Sequence, residues 1–183
     1  MRKSQSSRVA LCGVLGALSV VLMLLGNIVP LATYCAPMLA AMLLIPLVEE
    51  FTPGTALLLY AAVAILSMLI LPDKEPALIY ALVLGYDPVL KRWLDARVRF
   101  RPVRILCKLT VFNLGLIVAY LLLLTLFGAP GLAEEFAQAG RGLLLAMLAM
   151  GNLAFVIFDR ALEVITLVYR RRLRPTLKKT LHI

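Results

Sequence analysis

From Val9 to Val48 the chain runs for 40 residues without a single Asp, Glu, Lys, Arg or His. As one straight helix this stretch would be about 60 Å long, twice the hydrocarbon thickness of a bilayer. It contains Gly26-Asn27-Ile28-Val29-Pro30, where Gly, Asn and Pro together mark a turn. The stretch therefore reads as two membrane-crossing helices joined by a short loop. Hydrophobic residues make up 62% of all 183, against roughly 45–50% in a soluble domain, so most of them must face lipid or one another.

The basic residues give the chain a direction. Seventeen of the 19 Lys and Arg fall into three blocks: Arg2 to Arg8, Lys91 to Lys108, and Arg160 to Lys179; only Lys74 and Arg141 lie elsewhere. Further stretches near the roughly 17 to 20 residues that a spanning helix needs lie at 55–71, 105–128 and 142–168. A shorter one, 77–90, sits between Pro76 and Pro88. Counting it as a crossing puts all three basic blocks on one side, whereas five crossings would divide them between the two faces. Because Lys and Arg bias sets orientation, the sequence predicts an all-α integral membrane protein with six transmembrane helices and both termini cytoplasmic. A single transmembrane domain covers 1–183, with helices at about 9–29, 31–48, 55–71, 77–90, 105–128 and 142–168 and a basic cytoplasmic tail at 169–183. Residues 26–34, 73–75 and 129–141 then face outside; 49–54, 91–108 and the tail face the cytoplasm.

A net charge of +9 on one soluble face would suggest nucleic acid. Flanking apolar spans, it instead suggests anchoring against anionic lipid at the cytoplasmic loops, and no nucleic-acid partner is expected. Cys12, Cys35 and Cys107 lack metal-ligand spacing and read as packing residues. Met1-Arg2-Lys3 before an apolar run has the outline of a secretory signal, but the run exceeds an h-region of about 7–15 residues, so it is read as a retained first helix. There is no P-loop or nucleotide fingerprint. The glutamate pair Glu49-Glu50 would need membrane histidines for intramembrane proteolysis, and the only histidine is His182. Neither a catalytic residue, a metal site nor a cofactor is expected, and the protein is not read as an enzyme.

On the first helix, Gly13 and Ala17 stand four apart with Gly16 beside them. Such a small face lets another helix backbone approach closely in lipid, either within the protein or from a partner subunit. The outward ends gather the polar groups suited to a small solute: Asn27, Thr33 and Tyr34, then Asp73, Lys74 and Glu75, then Tyr80 and Tyr120. The Asp73-Lys74-Glu75 triplet also has a plainer reading as a self-neutralised exposed turn. Asn113 and Asn152 lie inside apolar helices, where an unpaired amide is costly; they read either as partners across two helices, the commoner use, or as the lining of a pocket. Asp87, Asp159 and Glu163, close to the basic blocks, read as interfacial ion pairs, with Arg160 and Glu163 at helical pairing distance.

A six-helix protein with both ends inside, no nucleotide site, and a basic N-terminus leading into Ala-Leu-Cys-Gly-Val-Leu-Gly-Ala-Leu-Ser resembles the substrate-binding S components of energy-coupling factor (ECF) vitamin transporters. The resemblance implies a subunit of the bacterial cell membrane that captures a small, vitamin-like solute outside and hands it to a transmembrane T component and ATPase subunits for uptake. It implies docking through Gly13 and Ala17, and a pocket containing Asn27, Thr33, Tyr34, Lys74, Tyr80 and Tyr120. Trp93, the only tryptophan, falls in a cytoplasmic loop, so aromatic contacts to a solute would come from Tyr or Phe. The competing reading is a non-transport membrane scaffold of the cell-wall or division type, with a self-contained facilitator third.

Overall fold

The computed structural model describes residues 2–28, 32–126 and 140–175, and every regular element among them is helical. Most of the expected 129–141 loop, and residues 176–183 of the expected tail, lie outside the described residues. Five helices are long and apolar enough to cross a membrane: Ser6–Ile28, Ala32–Glu50, Pro53–Ile70, Arg101–Leu126 and Gly142–Leu173.

In chain order the elements are α1 (Arg2–Ile28), α2 (Ala32–Met42), α3 (Ile45–Glu50), α4 (Pro53–Ile70), α5 (Glu75–Ile79), a π-helical turn (Tyr80–Leu84), α6 (Asp87–Arg97), α7 (Arg101–Leu126) and α8 (Arg141–Val168), the last continuing into a second π-helical turn (Tyr169–Leu173). The stretch expected as one helix at 31–48 is thus broken. Pro46 has no N–H to offer Met42 and its ring crowds that carbonyl, so α2 stops at Met42 and α3 restarts at Ile45. α4 begins where the Thr52 side chain accepts the Thr55 amide at 3.4 Å and Pro53 occupies the first turn, a position where a missing N–H does no harm.

The segment expected at 77–90 is the most deeply buried part of the chain, with Pro76 to Tyr80 and Val83 to Gly85 all enclosed by protein. It is also the least regular. The Gly85 amide reaches back to the Tyr80 carbonyl at 2.8 Å, and Pro88 lies ahead to interrupt any simple continuation. The Ala81 carbonyl, which Gly85 would serve in an α-helix, accepts instead from the Tyr60 hydroxyl, and the Leu82 carbonyl accepts from the Tyr86 hydroxyl at 3.1 Å. α7 passes so close to this turn that a Cβ on Gly115 would collide with the Leu82 carbonyl. At one end the segment meets the start of α2 through Tyr34 and Glu75; at the other, Arg92 donates to the Val48 carbonyl of α3. It therefore covers the same depth as α2 and α3 and runs in the same direction.

α7 and α8 form an antiparallel pair. Phe112 stacks on Phe155 with centroids 4.4 Å apart, and Asn113 and Asn152 exchange amide hydrogen bonds of 2.8 and 3.1 Å. The expected Asn pairing is present. Towards its N-terminus α8 loses this support: Leu143, Leu145, Met147 and Met150 are all exposed, on every face of the helix.

Removing one amide leaves the other without its cross-helix partner, whereas removing both removes the demand. Asn113→Leu and Asn152→Leu should each destabilise the protein in detergent. A double-mutant cycle should return a coupling of about 0.6 to 1.7 kcal/mol, the range for membrane hydrogen bonds, measured by reversible unfolding; a coupling near zero would show that the pair contributes nothing.

Candidate functional site

Two polar centres lie at opposite ends of the bundle. At one end Glu75, the first residue of α5, accepts on Oε1 from both Tyr34 (2.9 Å) and Tyr120 (3.1 Å). Three elements far apart in sequence are thereby joined: the start of α2, the start of α5 and the later half of α7. Asp73 Oδ1 accepts the Glu75 amide at 3.0 Å, which fixes the turn that presents the carboxylate.

Lys74 points the other way. Its ammonium donates to the Met68 and Leu71 carbonyls at 2.9 and 2.5 Å, closing the C-terminal end of α4 where carbonyls lack intrahelical partners. The reading of residues 73–75 as a self-neutralised triplet is corrected accordingly: Glu75 is engaged by two tyrosines and Lys74 by backbone.

Of the six residues named for a solute, Tyr34 and Tyr120 meet at Glu75, while Thr33 lies half-buried one residue from Tyr34. Tyr80 is fully buried in the π-helical turn, its ring 5.8 Å from that of Tyr60, which in turn meets Tyr86 edge-on at 6.2 Å. Tyr80 Oη, Asn27 Nδ2 and Ser67 Oγ are buried without a hydrogen-bond partner among the described residues. All three belong to this end of the bundle: Asn27 at the end of α1, Ser67 in the last turn of α4, Tyr80 about 7 Å below Glu75 by helical rise. Ser67 was missed from sequence because a serine in an apolar helix ordinarily bonds back to its own turn, as Ser19 does to Leu15 at 2.8 Å. A cavity of only about 10 Å³ opens here, lined by Glu75, Leu78, Ile79, Ala119, Tyr120 and Leu123.

Gly13 and Ala17 are exposed, and nothing from another helix lies within 4 Å of a Cβ built on Gly13. It is Gly16 that packs inward, with Leu59 of α4 at 3.0 Å from such a Cβ. Among the described residues Gly13 therefore has no close helix neighbour, and Ala17 lies on the same exposed face.

The other end carries the ion pairs. Asp159 on α8 accepts Lys91 at 2.8 Å and Lys108 at 2.6 Å, joining α6, α7 and α8, and Glu163 adds a contact of 3.4 Å to Lys91 and 3.3 Å to Arg160. Arg170 grips Glu49 through two bonds of 2.7 and 2.9 Å, and Arg174 lies 2.9 Å from Glu50. Glu49-Glu50 is thus occupied by the continuation of α8. Beside these pairs lies a cavity of about 440 Å³. Sequence reading placed charge at this end but gave no sign of a cleft, because the concavity arises from how α3, α6, α7 and α8 splay.

No family model matches the chain, and neither does a curated protein or a solved structure.

Asp159 is the one carboxylate among the described residues that holds two buried ammonium groups. Asp159→Asn should cost about 3–5 kcal/mol, the range for breaking a buried pair, in thermal or denaturant unfolding. Glu163→Gln, at a carboxylate 41% exposed, should cost less than about 1 kcal/mol. Equal losses would mean that the Asp159 cluster is no more than a surface network.

Proposed function

We propose that this protein is a membrane subunit that binds a small solute at its Glu75 end and passes it on through partner subunits, as the S components of ECF transporters do. The observation that carries this reading is the set of three buried polar atoms without a partner among the described residues, Asn27 Nδ2, Ser67 Oγ and Tyr80 Oη, on elements that end or begin at the same end of the bundle as the cluster in which Tyr34 and Tyr120 hold Glu75. Each unmade bond costs about 1–3 kcal/mol, and a ligand with donors and acceptors of its own would recover it. With a cavity of about 10 Å³, the site in this structure is a closed one. Loosening Glu75 from Tyr34 and Tyr120 is the step that would open it.

In this reading the segment from Glu75 to Arg97 is the fourth of six crossings, supported by its matching the depth of α2 and α3. Both termini and the three basic blocks then lie in the cytoplasm of a bacterial cell, and the Glu75 end faces outside. The unused small face at Gly13 and Ala17 supports docking to a transmembrane T component, with ATPase subunits beyond it. A vitamin or vitamin precursor is the solute class that the resemblance suggests. The scaffold alternative, of the cell-wall or division type, is favoured by one observation: the large cavity sits at the basic end.

Topology is tested by cysteine accessibility in intact cells, in a background where Cys12, Cys35 and Cys107 are replaced. A Cys at Asp73 should react with an impermeant maleimide and one at Arg99 should not; labelling at Arg99 from outside would refute the six-crossing, ends-inside arrangement.

Solute binding is tested by thermal shift of the detergent-solubilised protein across water-soluble vitamins and their precursors. A true ligand at a hundredfold excess over Kd stabilises by about 2.7 kcal/mol. Tyr80→Phe and Ser67→Ala should shrink that shift without lowering the ligand-free midpoint, because neither hydroxyl is bonded in the closed state. No shift with any compound, while an established S component responds in the same assay, would transfer the assignment to the scaffold reading.

A further inference from the structure

The cavity at the Glu49 end has a volume of about 440 Å³, within the roughly 300–1,000 Å³ of small-molecule sites. Apolar walls from Val48, Pro88, Ile105, Leu162 and Leu167 alternate with charged side chains. Seven of the lining residues are Lys or Arg and four are Asp or Glu. Asp87 is buried nearby, makes no ion pair among the described residues and has Oδ2 unpartnered, so the lining carries a clear excess of positive charge.

The ion pairs show which two cations are left over. Arg104 is matched by Asp95 at 2.9 Å and Arg170 by Glu49. Lys91, Lys108 and Arg160 share the carboxylates of Asp159 and Glu163. Arg92 donates to the Val48 carbonyl, a neutral group, so its charge remains. Arg101, at the first position of α7, is exposed and has neither a carboxylate nor a carbonyl partner among the described residues. Both guanidinium groups line the cavity. On the floor Lys108, only 3% exposed, is engaged by Asp159, and Arg92 and Arg101 are the lining cations without a carboxylate partner among the described residues.

We propose that this cleft is a binding site for a phosphate ester, held between Arg92 and Arg101. Guanidinium groups match phosphate geometry and bind it through paired charge-assisted bonds. The apolar part of the ligand would lie against Ile105 and Leu167, which lead out onto the exposed apolar faces of α7 and α8. Phosphate esters reach this position from two sources. One is the headgroup of an anionic lipid, which in the topology proposed above lies level with the cleft in the cytoplasmic leaflet; the other is a soluble phosphate ester from the aqueous side.

The test is native mass spectrometry of the full chain, titrated separately with phosphatidylglycerol, phosphatidylcholine and glycerol 3-phosphate. One phosphatidylglycerol or one glycerol 3-phosphate should bind per chain, and Arg101→Gln should weaken it about tenfold, the equivalent of about 1.4 kcal/mol for a lost charge-assisted bond. Since the Arg101 side chain makes no hydrogen bond or ion pair among the described residues, this variant should keep the wild-type unfolding midpoint. Arg97→Gln removes the same charge from outside the cleft, where Arg97 stacks over Trp93 at 4.8 Å, and should leave affinity within about twofold. Binding confined to phosphatidylglycerol assigns the site to lipid; binding of glycerol 3-phosphate with the same Arg101 dependence assigns it to a soluble ester. Three results overturn the proposal: phosphatidylcholine binding as tightly as phosphatidylglycerol, Arg97→Gln weakening binding as much as Arg101→Gln, or neither phosphate ester binding.

Discussion

Backbone groups inside a bilayer have no water to turn to, so each carbonyl released from a helix must find a donor in the protein. The middle of this chain is organised by that requirement. Where the π-helical turn at Tyr80–Leu84 releases carbonyls, the hydroxyls of Tyr60 and Tyr86 take them. Where α4 ends, the Lys74 ammonium takes two more. The irregular segment is tolerated because it is wrapped on all sides by helices that supply these donors. Gly115 belongs to the same solution, since only a residue without a side chain lets α7 come up against the Leu82 carbonyl.

The same economy of partners gives the two ends of the bundle different characters. At the Glu49 end, ion pairs through Asp159, Glu163, Glu49 and Glu50 tie α3, α6, α7 and α8 and its continuation together, with Arg92 and Arg101 left without a carboxylate partner among the described residues. At the Glu75 end, a single carboxylate holds two tyrosines from different helices, and buried polar atoms at that end go unmatched among the described residues. A firm base and an end held by few bonds follow from where the residues that can form ion pairs were placed in the chain.

Much of the framework was legible in the sequence. Charge-free length gave the long apolar helices, and the isolated amides of Asn113 and Asn152 pointed to each other because an apolar helix leaves an amide few other partners. Arg160 and Glu163 followed from spacing alone. What the sequence hid depends on long-range packing. That Lys74 would turn back on α4 instead of towards a solute could not be seen from three adjacent charged residues. Tyr80 looked like one more outward tyrosine until the π-helical turn carried it inside. Ser67 gave no signal, because the loss of a partner for its hydroxyl is set by neighbours distant in sequence. The break between α2 and α3 was available in Pro46, whose lesion was masked by the uninterrupted apolar character around it.

α8 is held to the bundle from Asn152 onward and stands clear of it before that point. The free length from Gly142 to Asn152 is about 15 Å by helical rise. Mechanically this is a lever with its fulcrum at the amide pair: a tilt of about 10° there carries the tip roughly 2.5 Å, using the same rise, without disturbing the ion pairs at its base. Force applied to the tip, whether by a neighbouring protein or by a change in bilayer thickness, would therefore reach α7 first through two amide bonds and one aromatic stack, and beyond them through the Lys108–Asp159 ion pair. Those few contacts set how much bending the helix pair transmits before it separates.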